Sequence, residues 1–146
     1  MIDRKHIGHV MPKAELTIEE GRLRFFARAT GQTHPVYIDT KAAREAGYRD
    51  LPAAPSFMFA AELDAHTITE LLDHLGVDLK RVLHGEQEFA YFAPVCAGDV
   101  ITVESRVSDI YDKKNGALEF VVKDSTITNQ LGIKVAEMRS VIVVRN

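Results

Sequence analysis

The stretch Phe57-Met58-Phe59-Ala60-Ala61-Glu62-Leu63 decides the fold, because it is apolar nearly all round and stands just before a series of strand patterns. A helix that is hydrophobic on all sides is typical of a buried position. Ser56 can cap this helix, and Gly76 is its predicted end. The later part of the helix repeats apolar residues with helical spacing, at Ile68, Leu71, Leu72 and Leu75.

After the helix, the hydrophobic period changes to that of β-strands. Strand patterns begin at Val82 and Ile101, and two more run from Leu118 to Thr128 and from Ile133 to Val144. Lys114-Asn115-Gly116 predicts a hairpin turn, because Asn-Gly readily takes positive φ angles, and Gly132 marks another turn. Consecutive long strands with short turns predict an antiparallel meander, and the simplest packing wraps it around the apolar helix. We therefore expect an α+β fold.

The first half of the chain has helical and loop-rich patterns. Thr17-Ile18-Glu19-Glu20 has the spacing of a capping box, which predicts a helix that Gly31 ends. Asp39 or Thr40 can cap a second, short helix that ends before Gly47.

The length and composition indicate one domain over residues 1–146, with a core of ordinary size. The net charge is -3 and no block of like charges occurs, so neither nucleic acid nor a membrane surface is an expected partner. No apolar stretch is long enough to span a bilayer, and the single cysteine, Cys96, excludes an internal disulfide. These features favour the cytoplasm. A long sheet covered by one helix also leaves an edge strand, which predicts a dimer.

Four stretches of the chain, in their order and spacing, match a known family. They are Phe26 to Gly31, His34 to Asp39 with Ala42 to Tyr48, Ala54 to Phe57, and Leu83 to Phe89 with Phe92 to Asp99. On these residues the chain resembles the MaoC-type branch of the hotdog fold, and specifically its N-terminal domain, the FAS1-like dehydratase domain. The resemblance covers essentially the whole chain and predicts a single MaoC-like hotdog domain, a long antiparallel sheet wrapped around a central helix.

This resemblance implies the chemistry of (R)-specific enoyl-CoA hydratases and 3-hydroxyacyl dehydratases. Active members add or remove water across the α,β double bond of an acyl thioester, carried on coenzyme A or acyl carrier protein, and need no cofactor. The reaction requires a base near the α-carbon, an acid near the β-oxygen and a backbone N–H at the thioester carbonyl. Active members carry a loop similar to Gly-Asp-x-Asn-Pro-[Ile/Leu/Val]-His, in which the Asp and His form the catalytic dyad.

Aligned on Gly31 and Pro35, this chain departs from that pattern at both dyad positions. Gln32 stands where the Asp belongs, and Tyr37 stands where the His belongs. Glutamine does not titrate, and a tyrosine has an unperturbed pKa near 10, so neither is a good base near neutrality. His34, in place of the family's Asn, could supply a base instead.

A further departure lies at the start of the central helix, where active members tend to show His-Gly-Met and this chain has Ala54-Pro55-Ser56. Proline has no N–H to offer an oxyanion, although the N–H of Ser56 could substitute. The positions that the resemblance assigns to substrate binding are Gln32, Tyr37, Pro55, Ser56, Phe57 and His84.

The resemblance leaves three functions open. The chain could bind the acyl thioester and act in a heterodimer with a hotdog partner that carries the dyad, as some family members do. It could be a self-sufficient hydratase that uses His34, as a homodimer. It could also be a hotdog acyl-CoA thioesterase that uses Glu62 or Asp64, although the sequence around these acids favours solvent exposure or ion pairing. The histidines show no ligand spacing with cysteine or acids, so no metal is expected.

Overall fold

The computed structural model describes residues 1–65 and 68–146, which form one sheet and four α-helices. The strands are β1 (Ala14–Thr17), β2 (Val82–Tyr91), β3 (Val100–Lys113), β4 (Leu118–Asn129) and β5 (Lys134–Arg145). The helices are α1 (Glu20–Ala29), α2 (Thr40–Glu45), α3 (Phe57–Ala65) and α4 (Ile68–Leu75). Short 3₁₀ turns cover Arg4–His6, Pro35–Tyr37 and Leu79–Arg81.

The sheet is antiparallel throughout and has the order β1-β3-β4-β5-β2. Strands β3, β4 and β5 form the predicted meander, and β2 closes one edge by pairing with β5. At the β3–β4 turn, Lys114, Asn115 and Gly116 all take positive φ angles, as the Asn-Gly signal predicts. The predicted α+β layout, a long antiparallel sheet around a central helix, is confirmed.

The predicted helix from Ser56 to Gly76 corresponds to α3 and α4. The prediction also covers residues 66 and 67, which lie outside the described part of the chain. As predicted, the apolar residues of α4 share one face, with Leu71, Leu72 and Leu75 buried. Of the described helices, none has both the length and the apolar character needed to cross a membrane.

The first half of the chain also contributes a strand, which the sequence pattern does not predict. Strand β1 pairs with β3 from Ala14 opposite Val103 to Thr17 opposite Val100. Four residues are too few for an alternation that could be separated from a loop. The predicted capping box is wrong, because Thr17 ends β1 and α1 begins only at Glu20, with no side-chain cap from Glu19.

The helices cover one face of the sheet, where the core divides into two apolar clusters. The first packs under α3 and includes Phe57, Met58, Val103, Ile127 and Met138. The second packs under α4 and includes Leu71, Leu72, Val107, Val121 and Ile142.

Polar side chains separate these two clusters. They come from α3 and from four neighbouring strands, and we call them the polar band: Glu62, Gln87, Ser105, Lys123, Ser125 and Ser140. On the sheet, Lys123 lies opposite Ser140, and Ser140 lies opposite Gln87. The band therefore crosses the covered face of the sheet from β3 to the free edge at β2.

Candidate functional site

The loop between α1 and α2 begins at a well-defined helix end. Gly31 has a φ of 71°, and the N–H groups of Gly31 and Gln32 donate to the carbonyls of Arg28 and Ala27 at 3.1 and 2.8 Å. This pair of hydrogen bonds is the Schellman motif, in which glycine takes the left-handed conformation most readily. The prediction that Gly31 ends the first helix is confirmed.

The rest of the loop is held by a 3₁₀ turn over Pro35–Tyr37 and by the cap of α2. The Asp39 carboxylate accepts a 2.9 Å hydrogen bond from the N–H of Lys41, as an N-cap does. The guanidinium of Arg24 on α1 donates to the carbonyl of Ile38 at 2.9 Å. The loop is thus fixed to both helices through its backbone.

Two of the side chains predicted for the site hydrogen-bond within this loop. The Gln32 Oε1 atom accepts from the N–H of His34 at 3.0 Å. The Nδ1 atom of His34 in turn accepts from the N–H of Val36 at 3.3 Å, so the imidazole caps the 3₁₀ turn. Tyr37 places its ring against that of His34 in an edge-to-face arrangement, with the ring centroids 6.2 Å apart. The structure thus brings Gln32, His34 and Tyr37 together.

The His34 contact has a chemical consequence. A neutral imidazole that accepts through Nδ1 carries its proton on Nε2. The ring nitrogen left for a ligand is then a hydrogen-bond donor and not a base.

The start of α3 borders an apolar cavity of about 240 Å³. Its walls come from four segments of the chain, and the lining residues include Tyr48, Pro55, Met58, Tyr91, Val95 and Val135. The Tyr91 hydroxyl donates to the carbonyl of Pro55, and burial raises the pKa of this phenol. Pro55 is the one predicted substrate-binding residue that lines this cavity.

Ser56 is exposed directly before α3. Within the described part of the chain, we find no acceptor for its backbone N–H. A free N–H at a helix start is suited to an anion or a polarised carbonyl oxygen.

The other predicted site residues lie elsewhere on α3 and β2. Phe57 is buried, and it borders a separate hollow of about 280 Å³ beside Asp64. His84 lies on the free edge strand, where its ring meets that of Phe59 edge to face at 4.9 Å. Gln32, His34, Tyr37 and His84 do not line the cavity at Pro55.

The two acids of α3 have different surroundings. Asp64 is exposed and forms a two-bond ion pair with Arg22, at 2.7 and 3.1 Å. Glu62 is only 1% exposed, and its Oε1 atom accepts from Lys123 Nζ at 2.9 Å and from the hydroxyls of Ser105 and Ser125. Thus both acids are paired, but Glu62 does not reach solvent. The sequence pattern marks neither Lys123 nor the two serines, because their contact with Glu62 joins residues far apart in the chain.

Asp99 holds the segment between β2 and β3 against the rest of the protein. Burial by itself would raise the pKa of Asp99, but hydrogen bonds from the Cys96 N–H, Gln130 and Arg49 hold this pKa below its usual value. Cys96 is buried, and burial raises the pKa of its thiol. A thiol with a raised pKa is a poor nucleophile at neutral pH.

Three histidines that the sequence does not associate meet near the end of α4. His6 Nδ1 lies 3.0 Å from His74 Nε2, and the rings of His9 and His74 stack with centroids 3.6 Å apart. The described residues nevertheless contain no group of three or more His, Cys, Asp or Glu side chains arranged to hold a metal ion.

The profile of the family described as "FAS1-like, dehydratase domain region" matches residues 5–138. The chain belongs to this family. A relative from Clavibacter michiganensis, named UPF0336 protein, is 40% identical over 141 residues, which are 94% of this chain and 92% of the relative. The predicted membership of the FAS1-like dehydratase domains is thereby confirmed.

Solved structures show the same fold for this FAS1-like dehydratase domain. The C-terminally truncated HadBC complex of Mycobacterium tuberculosis, a 3R-hydroxyacyl-ACP dehydratase, superposes with a TM-score of 0.80 at 24% identity, over 94% of this chain and 96% of that chain. A MaoC-like dehydratase gives a TM-score of 0.85 at 21% identity, over 97% of this chain but 42% of that longer chain. These similarities place the chain in the MaoC-like hotdog fold.

Proposed function

We propose that this domain is an acyl-thioester-binding subunit of a hydratase or dehydratase, and that a hotdog partner supplies the Asp-His dyad. The observation that carries the proposal is the loop from Gly31 to Asp39. Its backbone frame is complete, whereas Gln32 and Tyr37 occupy the dyad positions. A glutamine whose carbonyl is already bonded to the His34 N–H cannot take a proton from the α-carbon.

The start of α3 supports the binding half of the proposal. A thioester carbonyl could accept from the free N–H of Ser56, at the positive end of the helix dipole. The acyl chain would then enter the neighbouring cavity, whose walls are apolar from Ala53 through Met58 to Val135. Hydrophobic burial with one fixed polar contact is the usual design of a small-molecule site.

The free edge of β2 supports the partner half of the proposal. Unlike the three strands beside it, β2 is exposed along most of its ten residues, and Leu83 and Tyr91 are each 47% exposed. Leu63 on α3 adds further exposed apolar surface. A long unpaired edge strand is a template for pairing with another chain. The similar HadBC structure is itself a complex.

The decisive test is hydration of a crotonyl thioester, followed by the loss of absorbance of the double bond. We expect no turnover by the purified chain alone, and turnover when it is combined with a dyad-bearing hotdog protein encoded beside it. Robust turnover by the chain alone would contradict the proposal.

A gain-of-function variant tests the loop directly. Because the backbone of the loop is intact, Gln32→Asp with Tyr37→His should give the lone chain measurable hydration of the crotonyl thioester. The matched control is Gln32→Asn with Tyr37→Phe, which changes the same positions without adding an acid or a base. Equal rates for the two double variants would show that the loop does not face the substrate.

The second candidate is a self-sufficient hydratase in which His34 acts as the base. Its support is the exposed position of this imidazole within the loop, and to act as the base His34 has to release the Val36 N–H from its Nδ1 atom. If the lone chain proves active, His34→Ala should abolish turnover, and an unchanged rate would exclude this candidate. The thioesterase is not supported in the same way, because Glu62 is buried and Asp64 is bonded to Arg22.

A further inference from the structure

We propose that the polar band ends the apolar path that an acyl chain can follow, so that the site accepts acyl groups only up to a limited length. The inference rests on the proposed function, because it names the class of thioester that the cavity at Pro55 would take. It concerns a charged pair that takes no part in hydration chemistry.

Both walls of the path lead from the cavity to the band. On α3, Met58 lines the cavity, and Glu62 follows one turn later on the same buried face. On β2, Tyr91 lines the cavity, and the next residues on the covered face are Phe89 and then Gln87. Because α3 lies over the sheet, a chain that grows between them has to displace the flexible side chain of Met58, which is 3% exposed, and meets the polar band next.

The band is a barrier because its atoms are already bonded to one another. A methylene group placed there would separate Lys123 Nζ from Glu62 Oε1, which lie 2.9 Å apart, without replacing the lost contact. Buried charges without partners are strongly unfavourable. The second carboxylate oxygen, Glu62 Oε2, is buried without a hydrogen-bond partner among the described residues, and a methylene group offers it none.

The second core cluster, beyond the band, is closed as well. Leu71, Leu72, Val107 and Val121 are all 2% exposed or less. An acyl chain that passed the band would therefore also have to displace well-packed apolar side chains.

The test measures dissociation constants by calorimetry for saturated acyl-CoA thioesters from butyryl to palmitoyl, with the full chain in the assembly that it forms in solution. Each methylene buried in the cavity should tighten binding by about fourfold, and binding should stop tightening where the chain reaches the band. A constant gain up to palmitoyl would overturn the inference.

Two variants at Met58 shift the limit without touching the charges. Met58→Ala should move the plateau to longer acyl groups, and Met58→Phe should move it to shorter ones. If both variants keep the wild-type plateau, the path does not run past Met58 and the inference fails.

The double variant Glu62→Leu with Lys123→Met tests the band itself. It should move the plateau to longer acyl groups, because the chain can then extend as far as the second core cluster. The matched control, Asp64→Leu with Arg22→Met, removes an ion pair of the same helix outside the band and should keep the plateau. If the control shifts the plateau as far as the Glu62 and Lys123 variant does, the band is not the barrier.

The binding measurements distinguish an error in the length limit from an error in the proposed function. A chain that binds no thioester of any length contradicts both. A chain that binds thioesters with unlimited gain contradicts the length limit alone.

Discussion

At the scale of single residues, Glu62 and Lys123 form a buried ion pair whose energetic cost depends on the side chains around it. Each charge is costly to remove from water, and their mutual attraction offsets this cost only when the remaining hydrogen bonds are made. Here the hydroxyls of Ser105 and Ser125 donate further hydrogen bonds to the Oε1 atom of Glu62. The pair is therefore weak support for stability, but the loss of one member is expected to be severe.

Lys123→Met should lower the free energy of unfolding by about 3–5 kcal/mol, because it leaves the Glu62 carboxylate buried without its cation. The additional change Glu62→Leu should restore most of this loss, since no uncompensated charge then remains. Urea denaturation of the two single variants and the double variant measures the coupling. Simple additivity of the two single losses would show that the residues do not interact.

The difference between Glu62 and Asp64 also shows where prediction from the sequence ends. Both acids lie in the run Ala-Ala-Glu-Leu-Asp-Ala, and both are correctly expected to form pairs if they do not face solvent. Two positions along a helix turn the side chain to almost the opposite face, so one acid meets the sheet and the other meets α1. The partner of each acid depends on where Lys123 and Arg22 lie relative to α3, and these positions follow from the tertiary fold.

At the scale of elements, strand β2 depends on a glycine at its bulge. Gly85 is the extra residue between His84 and Glu86 in the pairing with β5. A Cβ atom at this position would lie 2.7 Å from Val143 Cγ2 and 3.0 Å from the carbonyl oxygen of Val141. The sequence shows this glycine within a strand pattern, but the bulge itself appears only in the pairing register.

Gly85→Ala should therefore displace the start of β2 and lower the free energy of unfolding by about 1–3 kcal/mol. The measurement is chemical denaturation, with hydrogen exchange to show whether β2 loses protection first. Gly21→Ala in α1 is the matched control, because a Cβ there meets nothing within 4 Å. Greater protection of β2 in the Gly85 variant would contradict the expected clash.

The N-terminal segment is an element with its own pH dependence. Residues 8–11 follow the edge of β3, where Gly8 and Met11 donate to the carbonyls of Val107 and Ser105 at 2.8 and 2.9 Å. Burial and the neighbouring imidazoles of His74 and His6 lower the pKa of His9 below 6.5. The folded segment thus disfavours the protonated form of His9.

The sign of the effect follows from this shift. Because the unfolded segment binds the proton more tightly, the stability that His9 contributes is complete above about pH 6.5 and falls as the pH drops below it. Amide exchange of Gly8 and Met11 should therefore accelerate relative to the core between pH 7 and pH 5.5. In His9→Asn the acceleration of exchange at low pH should be smaller. If the dependence of exchange on pH is the same in this variant as in the wild type, His9 does not cause the acceleration.

At the scale of the whole molecule, the fold is largely predictable and the site is only partly so. Alternation in the strands, the Asn-Gly turn and the apolar helix are local signals, and they define the meander and its packing on α3. The short β1 and the division of the core by the polar band depend on contacts between distant segments. The loop residues Gln32, His34 and Tyr37 do come together, because they lie close in the chain, but the cavity beside Pro55 needs Tyr91 and Val135.

The proposed assembly gives a test at this scale. Leu83→Asp should prevent the chain from sedimenting as a complex with its dyad-bearing hotdog partner, because it places a charge at the free edge of the sheet. Leu131→Asp is the control, since this side chain is exposed in the β4–β5 turn and is expected to lie outside the interface. Dissociation by the control but not by Leu83→Asp would place the interface at the other end of the sheet.

The Schellman end of α1 and the cap of α2 have a consequence for how such proteins diverge. The path of the loop is specified mainly by main-chain bonds and by Gly31 and Asp39, and Gln32 and His34 add one side-chain hydrogen bond each, so exchange of its side chains leaves most of the frame in place. After a gene duplication, one copy can lose its acid and base by substitution at two positions and remain a well-formed protein. Selection on that copy is then free to act on recognition, while the sister chain retains the reaction.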